Sequence, residues 1–132
     1  ALSPGSVANG SVLYMADDRA SSAGGVQKYV YSGGAWTLAY TLGTGVANIG
    51  ARGLAADFSS FSASTGFGAV LYGTSAEGSN NRIFKIIDLG STSAATTLVT
   101  SVSSQIFRGI ALAPIPSSAP IVSNFSQSIS LG

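Results

Sequence analysis

The sequence predicts an all-β protein, and three observations carry that prediction. Short runs rich in β-branched and aromatic residues recur along the chain, Gly, Ser and Asn clusters separate them, and the whole order of runs returns about 57 residues later. No stretch sustains the 3.6-residue apolar stripe that a helix needs to bury one face.

The first run is Val12-Leu13-Tyr14-Met15-Ala16, which returns as Val70-Leu71-Tyr72-Gly73-Thr74. Val26 to Tyr31 is answered by Ile83 to Asp88, and Thr37 to Leu42 by Ala95 to Thr100. Between the Lys28 and Trp36 strands, Ser32-Gly33-Gly34 predicts a tight hairpin, because glycine reaches positive φ at no steric cost. Arg52-Gly53-Leu54-Ala55-Ala56 returns as Arg108-Gly109-Ile110-Ala111-Leu112. One unit thus takes its first strand from Arg52 to Asp57, its second around Tyr72, its third around Lys85 and its fourth around Leu98. The chain is expected to begin at a second strand and to end at a first one, around Arg108.

Four antiparallel strands repeating at this period predict two propeller-type blades over residues 1–113. Two blades are a partial propeller, since closure generally takes about four to eight. A β-sandwich of two sheets is the alternative. Pro114 to Pro120 reads as a stiff linker, and 121–132 as a tail or an added strand. Ala1 in place of Met suggests a processed or excised product, either a piece of a longer propeller or a subunit that assembles with other chains.

Composition excludes several functions. The 132 residues are 45% apolar but only 8% charged, against roughly 25% charged in ordinary soluble domains, so hydroxyls, amides and glycine must make the surface polar. Six Lys and Arg, scattered singly, give a net charge of +1 and none of the clustered basic footprint that nucleic acid requires. No apolar run approaches the roughly 18 residues of a membrane span. With no cysteine, stability must come from packing, and a secreted or cell-surface location of bacterial type is expected.

The absence of histidine and cysteine removes the commonest general base and the commonest transition-metal ligands. No serine sits in Gly-x-Ser-x-Gly. No catalytic residue, metal site or cofactor is therefore assigned. The acids Asp17 and Glu77 fall at matching places after the second strand of each unit, which fits a repeated turn better than a catalytic pair. Asp17-Asp18 lacks the alternating spacing of a calcium loop and reads as an Asx-type turn. Arg52 and Arg108 each precede a glycine at the start of an inner strand and are expected to bond backbone carbonyls of the neighbouring blade rather than to ring an anion.

The best binding candidates are Tyr29, Tyr31 and Trp36. Alternation puts the two tyrosines on one strand face and Lys28 and Val30 on the other, and exposed aromatics stack sugar rings. The second unit has no aromatic near Ser93 to Ala95, so such a site would not repeat, and packing of Trp36 between blades is the competing role. Asn9-Gly10-Ser11 and Asn124-Phe125-Ser126 fit the N-glycosylation sequon, which matters only where the host uses that chemistry.

Leu13-Tyr14-Met15-Ala16-Asp17-Asp18-Arg19, Gly25 to Tyr29, Trp36-Thr37-Leu38, and above all Phe107-Arg108-Gly109-Ile110-Ala111 with Ala113-Pro114 resemble the C-terminal part of a family of secreted bacterial β-propeller proteins. The resemblance spans Val12 to Pro114 and implies a fold and a compartment. That family has no assigned activity, so no functional residue carries over. The expected function is a non-catalytic extracellular propeller segment acting as scaffold, adhesive surface or subunit of a larger surface assembly. Its partners would be other blades, from the same or other chains. A lectin-like module binding glycans is the alternative.

Overall fold

A computed structural model of the chain describes residues 1–113. The expected linker, the C-terminal tail and Asn124 lie outside that range. The described residues form no helix and seven strands: β1 (Val12–Asp17), β2 (Gly25–Ser32), β3 (Ala35–Leu42), β4 (Ala51–Asp57), β5 (Val70–Ser75), β6 (Arg82–Ile87) and β7 (Thr96–Thr100). They make two antiparallel sheets, β1-β2-β3 and β4-β5-β6-β7, each in simple sequence order.

Local chemistry explains the hairpins. Gly33 and Gly34 both have positive φ, 59° and 87°, so a two-residue turn joins β2 to β3 with the twist the strands require. One residue is extra in the outer pair of each sheet, Ala39 opposite the Lys28–Tyr29 step and Leu98 opposite the Ile83–Phe84 step.

The repeat is visible in backbone bonds as well as in strand order. Gly10 N donates to Tyr31 O and Tyr31 N to Ser11 O. In the second unit Gly68 N donates to Asp88 O and Asp88 N to Ala69 O. After the last strand of each unit a hydroxyl closes the same turn, Thr44 onto the Ile49 carbonyl and Ser101 onto the Gln105 carbonyl, both at 2.8 Å.

The first sheet has three strands where four were expected, and Arg108 to Leu112 forms no strand. A strand needs a free edge to pair with, and the outer edge of β1 is already occupied. Leu2 bridges Leu13, Ser3 N donates to Val12 O, and Tyr14 N donates to Ala1 O. Ala1 to Ser3 thus sit on β1 where β4 sits on β5, since Ala56 pairs with Leu71 as Leu2 does with Leu13. The Arg108 segment instead crosses the face of β4. A side chain at Gly53 would stand 2.8 Å from Thr74 Oγ1 and 3.1 Å from Gly109 Cα, so the glycine relieves crowding where the segment crosses. No closed barrel or propeller forms among the described residues.

The two sheets share one core. Val12, Tyr14, Val26 and Leu42 of the first meet Leu71, Phe84 and Ile86 of the second, all essentially without solvent exposure. Period-two alternation then fixes the other faces, with Leu13, Met15, Tyr29 and Leu38 turned away on the first sheet and Tyr72, Ile83, Lys85 and Ile87 on the second.

Candidate functional site

The densest chemistry lies between the sheets. Tyr14 and Lys28 are cross-strand partners on β1 and β2, and Lys28 also faces Tyr40 on β3, so three polar groups converge on one sheet face. From the opposing sheet comes Asp88, immediately after β6 and fully buried. Its Oδ2 accepts from Lys28 Nζ at 2.7 Å and from the Tyr14 hydroxyl at 2.5 Å. Its Oδ1 accepts from the Tyr40 hydroxyl at 2.6 Å and from Gly90 N at 3.1 Å.

Lys28 is equally well provided for. Its ammonium donates to the Gly66 carbonyl and the Tyr40 hydroxyl, and it lies 4.6 Å from the centroid of the Phe67 ring. The loop between β4 and β5 brings Gly66 and Phe67 over the first sheet and roofs a narrow cleft of about 250 Å³ against Lys28, Val30 and Tyr40. A buried ion pair carries a large desolvation cost unless every donor and acceptor is matched, and here they are.

Electrostatics follow from that geometry. Burial pushes the Asp88 carboxyl up, but the hydrogen bonds from Lys28, Tyr14 and Tyr40, with the lysine's charge, outweigh it and leave the group below the ordinary carboxylate range. Burial first, and then the bonds to Asp88, raise both the Tyr14 and Tyr40 phenols well above their usual range. Each oxygen of the Asp88 carboxylate and each hydrogen of the Lys28 ammonium thus has a partner within the cluster.

Tyr29, Tyr31 and Trp36 do come together. They lie on the outward face of the first sheet, each half-buried, with Trp36 paired to Tyr31 across the strands and the two rings edge to face at 5.2 Å. The Tyr29 hydroxyl donates to Gln27 Oε1, Gln27 donates to Asp17, and Asp17 holds Arg19, so the polar end of the patch is already linked. Leu13, Met15 and Leu38 complete the face.

The remaining candidates serve turns. Asp17 pairs with Arg19 two residues on, Asp57 accepts from Ser59 N, and Glu77 pairs with Arg82 at 3.1 Å. Among the described residues no group of three potential metal ligands exists. Arg52 donates to the Ala76 carbonyl at 3.3 Å and faces Asp18 at 3.8 Å. The carbonyl belongs to its own sheet rather than to the neighbouring one, because Arg52 stands beside the end of β5. The carbonyl of the exposed Asn9 side chain accepts from Gly33 N at 3.2 Å, bracing the β2–β3 turn.

Sequence reasoning missed the Asp88 cluster. A signal was present, since Tyr14 and Lys28 return as Tyr72 and Lys85, and a repeated lysine inside an apolar strand asks for a buried partner. No family model, curated protein or solved structure matches the chain.

Proposed function

We propose that this chain is a non-catalytic segment of an extracellular propeller-type array, acting as scaffold, adhesive surface or subunit of a larger surface assembly. One observation carries the reading. The face of the first sheet that bears Tyr14 and Lys28 packs on the second sheet, while the matching face of the second, bearing Tyr72 and Lys85, points away from the first. Equivalent units therefore stack front to back.

That arrangement favours the propeller reading over the sandwich reading. Two like units closing as a sandwich would bury the same face twice, whereas front-to-back contacts are heterologous and leave an open face at each end of the stack. The exposed apolar residues fit this, with Met15 and Leu38 on one end and Ile87 and Leu98 on the other. Every charged group near the interface serves packing or a turn, which supports a non-catalytic role.

The glycan-binding alternative has its own support in the shared outward face of Tyr29, Tyr31 and Trp36. A glycan array on the purified chain separates the two. The scaffold reading expects no glycan retained, and Trp36→Ala to change only stability. Retention of a sugar class that Trp36→Ala abolishes, with the fold intact by circular dichroism, would replace it with the lectin reading.

A further inference from the structure

We infer that the outward face of the second sheet is a docking surface for one further antiparallel β-unit that presents a carboxylate in the position Asp88 holds. The inference rests on the front-to-back stacking proposed above and specifies the chemistry of the next partner in the stack.

The second sheet repeats the receiving half of the buried cluster. Tyr72 and Lys85 are cross-strand partners, as Tyr14 and Lys28 are, and Thr96 stands opposite Lys85 where Tyr40 stands opposite Lys28. Three groups that can donate hydrogen bonds therefore converge again on one face. Among the described residues no carboxylate pairs with Lys85.

The groove beside them is also repeated, wider and with more exposed walls. In the first sheet Lys28, Val30 and Tyr40 line the cleft of about 250 Å³ that Gly66 and Phe67 cover. In the second, Lys85, Ile87 and Thr96 line a larger depression of about 550 Å³ that Leu89 and Leu98 extend. Leu89 is 72% exposed and Leu98 52%. A lysine ringed by exposed apolar side chains matches a partner that covers the apolar rim and supplies one anionic acceptor at its centre. An apolar partner without that acceptor would bury the ammonium unpaired, at a cost that outweighs the rim.

The chain marks the start of such a partner. Arg108-Gly109 lies across Gly53 on this same face, after a connection that repeats the one leading into β4. The first sheet of a second copy would not satisfy the requirement. Tyr31 occupies Asp88's place there, with the same two backbone bonds, from Gly10 N to its carbonyl and from its own N to Ser11 O. That substitution provides the test.

Tyr31→Asp gives the back of the first sheet the missing carboxylate, so one copy should dock on the second sheet of the next. Sedimentation across a dilution series is expected to show self-association at least about tenfold tighter than the parent chain, in keeping with measured coupling between close charge pairs. Lys85→Met added to Tyr31→Asp should remove the gain. Should Tyr31→Asp lose cooperative unfolding, the reversed pair, Tyr31→Lys with Lys85→Asp, keeps the test open, and it too should associate. A folded Tyr31→Asp chain no stickier than its parent overturns the inference, as does a gain that survives Lys85→Met or a folded reversed pair that stays monomeric. Association of parent and variants alike, indifferent to Lys85, would leave the stacking reading standing and sink only the carboxylate requirement.

Discussion

Lys28 Nζ lies 2.7 Å from Asp88 Oδ2, with the lysine side chain 3% exposed and the aspartate fully buried, and the pair ties the first sheet to the residue just after β6 of the second, 60 residues on. Removing one partner strands the other's charge in a site closed to water. Lys28→Met is expected to cost about 3 to 5 kcal/mol in urea unfolding, the usual cost of an orphaned buried charge. Asp88→Asn added to Lys28→Met should recover part of the loss, because the amide oxygen still accepts from one tyrosine, its NH2 can donate to the other's hydroxyl oxygen, and no charge remains. A loss below about 1 kcal/mol for Lys28→Met, the level of a surface pair, would mean that the ammonium reaches water.

The same cluster sets the pH range of stability. The folded-state Asp88 carboxyl titrates below its unfolded value, so its contribution is complete above the unfolded carboxylate range near about pH 4 and fades as pH falls through the folded value. Tyr14 and Tyr40 have raised phenols when folded, so their contribution is complete below about pH 10 and is lost as pH rises above it. Unfolding midpoints measured from pH 2 to 12 should show a plateau with an acid and an alkaline fall. In Tyr14→Phe with Tyr40→Phe the alkaline fall should shrink.

Gly25 tests the start of β2, the central strand of the first sheet. It has φ of 139°, and a side chain there would stand 2.3 Å from the Leu42 carbonyl oxygen. Gly25→Ala therefore combines backbone strain with a collision against a fixed backbone atom, and a loss of more than about 2 kcal/mol is expected. Gly33→Ala is the useful contrast. Its φ is also positive, but nothing lies within 4 Å of the added carbon, so the cost should be limited to about 1 kcal/mol of turn strain.

These sites differ in how far the sequence announces them. Strand order was readable because alternation and glycine punctuation act within a few residues, and each of the runs around Tyr14, Lys28, Leu38, Leu54, Tyr72, Lys85 and Leu98 is a strand. Arg108 to Leu112 has the composition of a strand but not the pairing, since pairing depends on which edge is free, and Ala1 to Ser3 take the edge of β1. The shared face of Tyr29, Tyr31 and Trp36 followed from period-two alternation and one hairpin. Asp88 did not, because it looks like the end of a strand until the second sheet is laid on the first.

Asn81 is the residue on which the junction toward the next unit depends. It is fully buried between β5 and β6, and its side-chain amide does three jobs: Nδ2 donates to the Ser75 carbonyl at 3.1 Å and to the Phe107 carbonyl at 2.7 Å, while Oδ1 accepts from Phe107 N at 2.8 Å. The last two bonds fix the chain just before Arg108 crosses Gly53. Asn81→Ala would leave those groups unsatisfied in a closed site, and an overall loss of about 2 to 4 kcal/mol is expected from the unpaired Ser75 and Phe107 groups. Asn81→Asp retains the acceptor but loses both donations and buries a charge, so it should be no better. Native-state hydrogen exchange reads the local consequence, because the Phe107 amide loses its only partner among the described residues. Protection at Phe107 should collapse in Asn81→Ala while the amides of β2 and β5 keep theirs relative to the new global stability. Unchanged protection at Phe107 would mean that the segment is held by its contact with Gly53 alone.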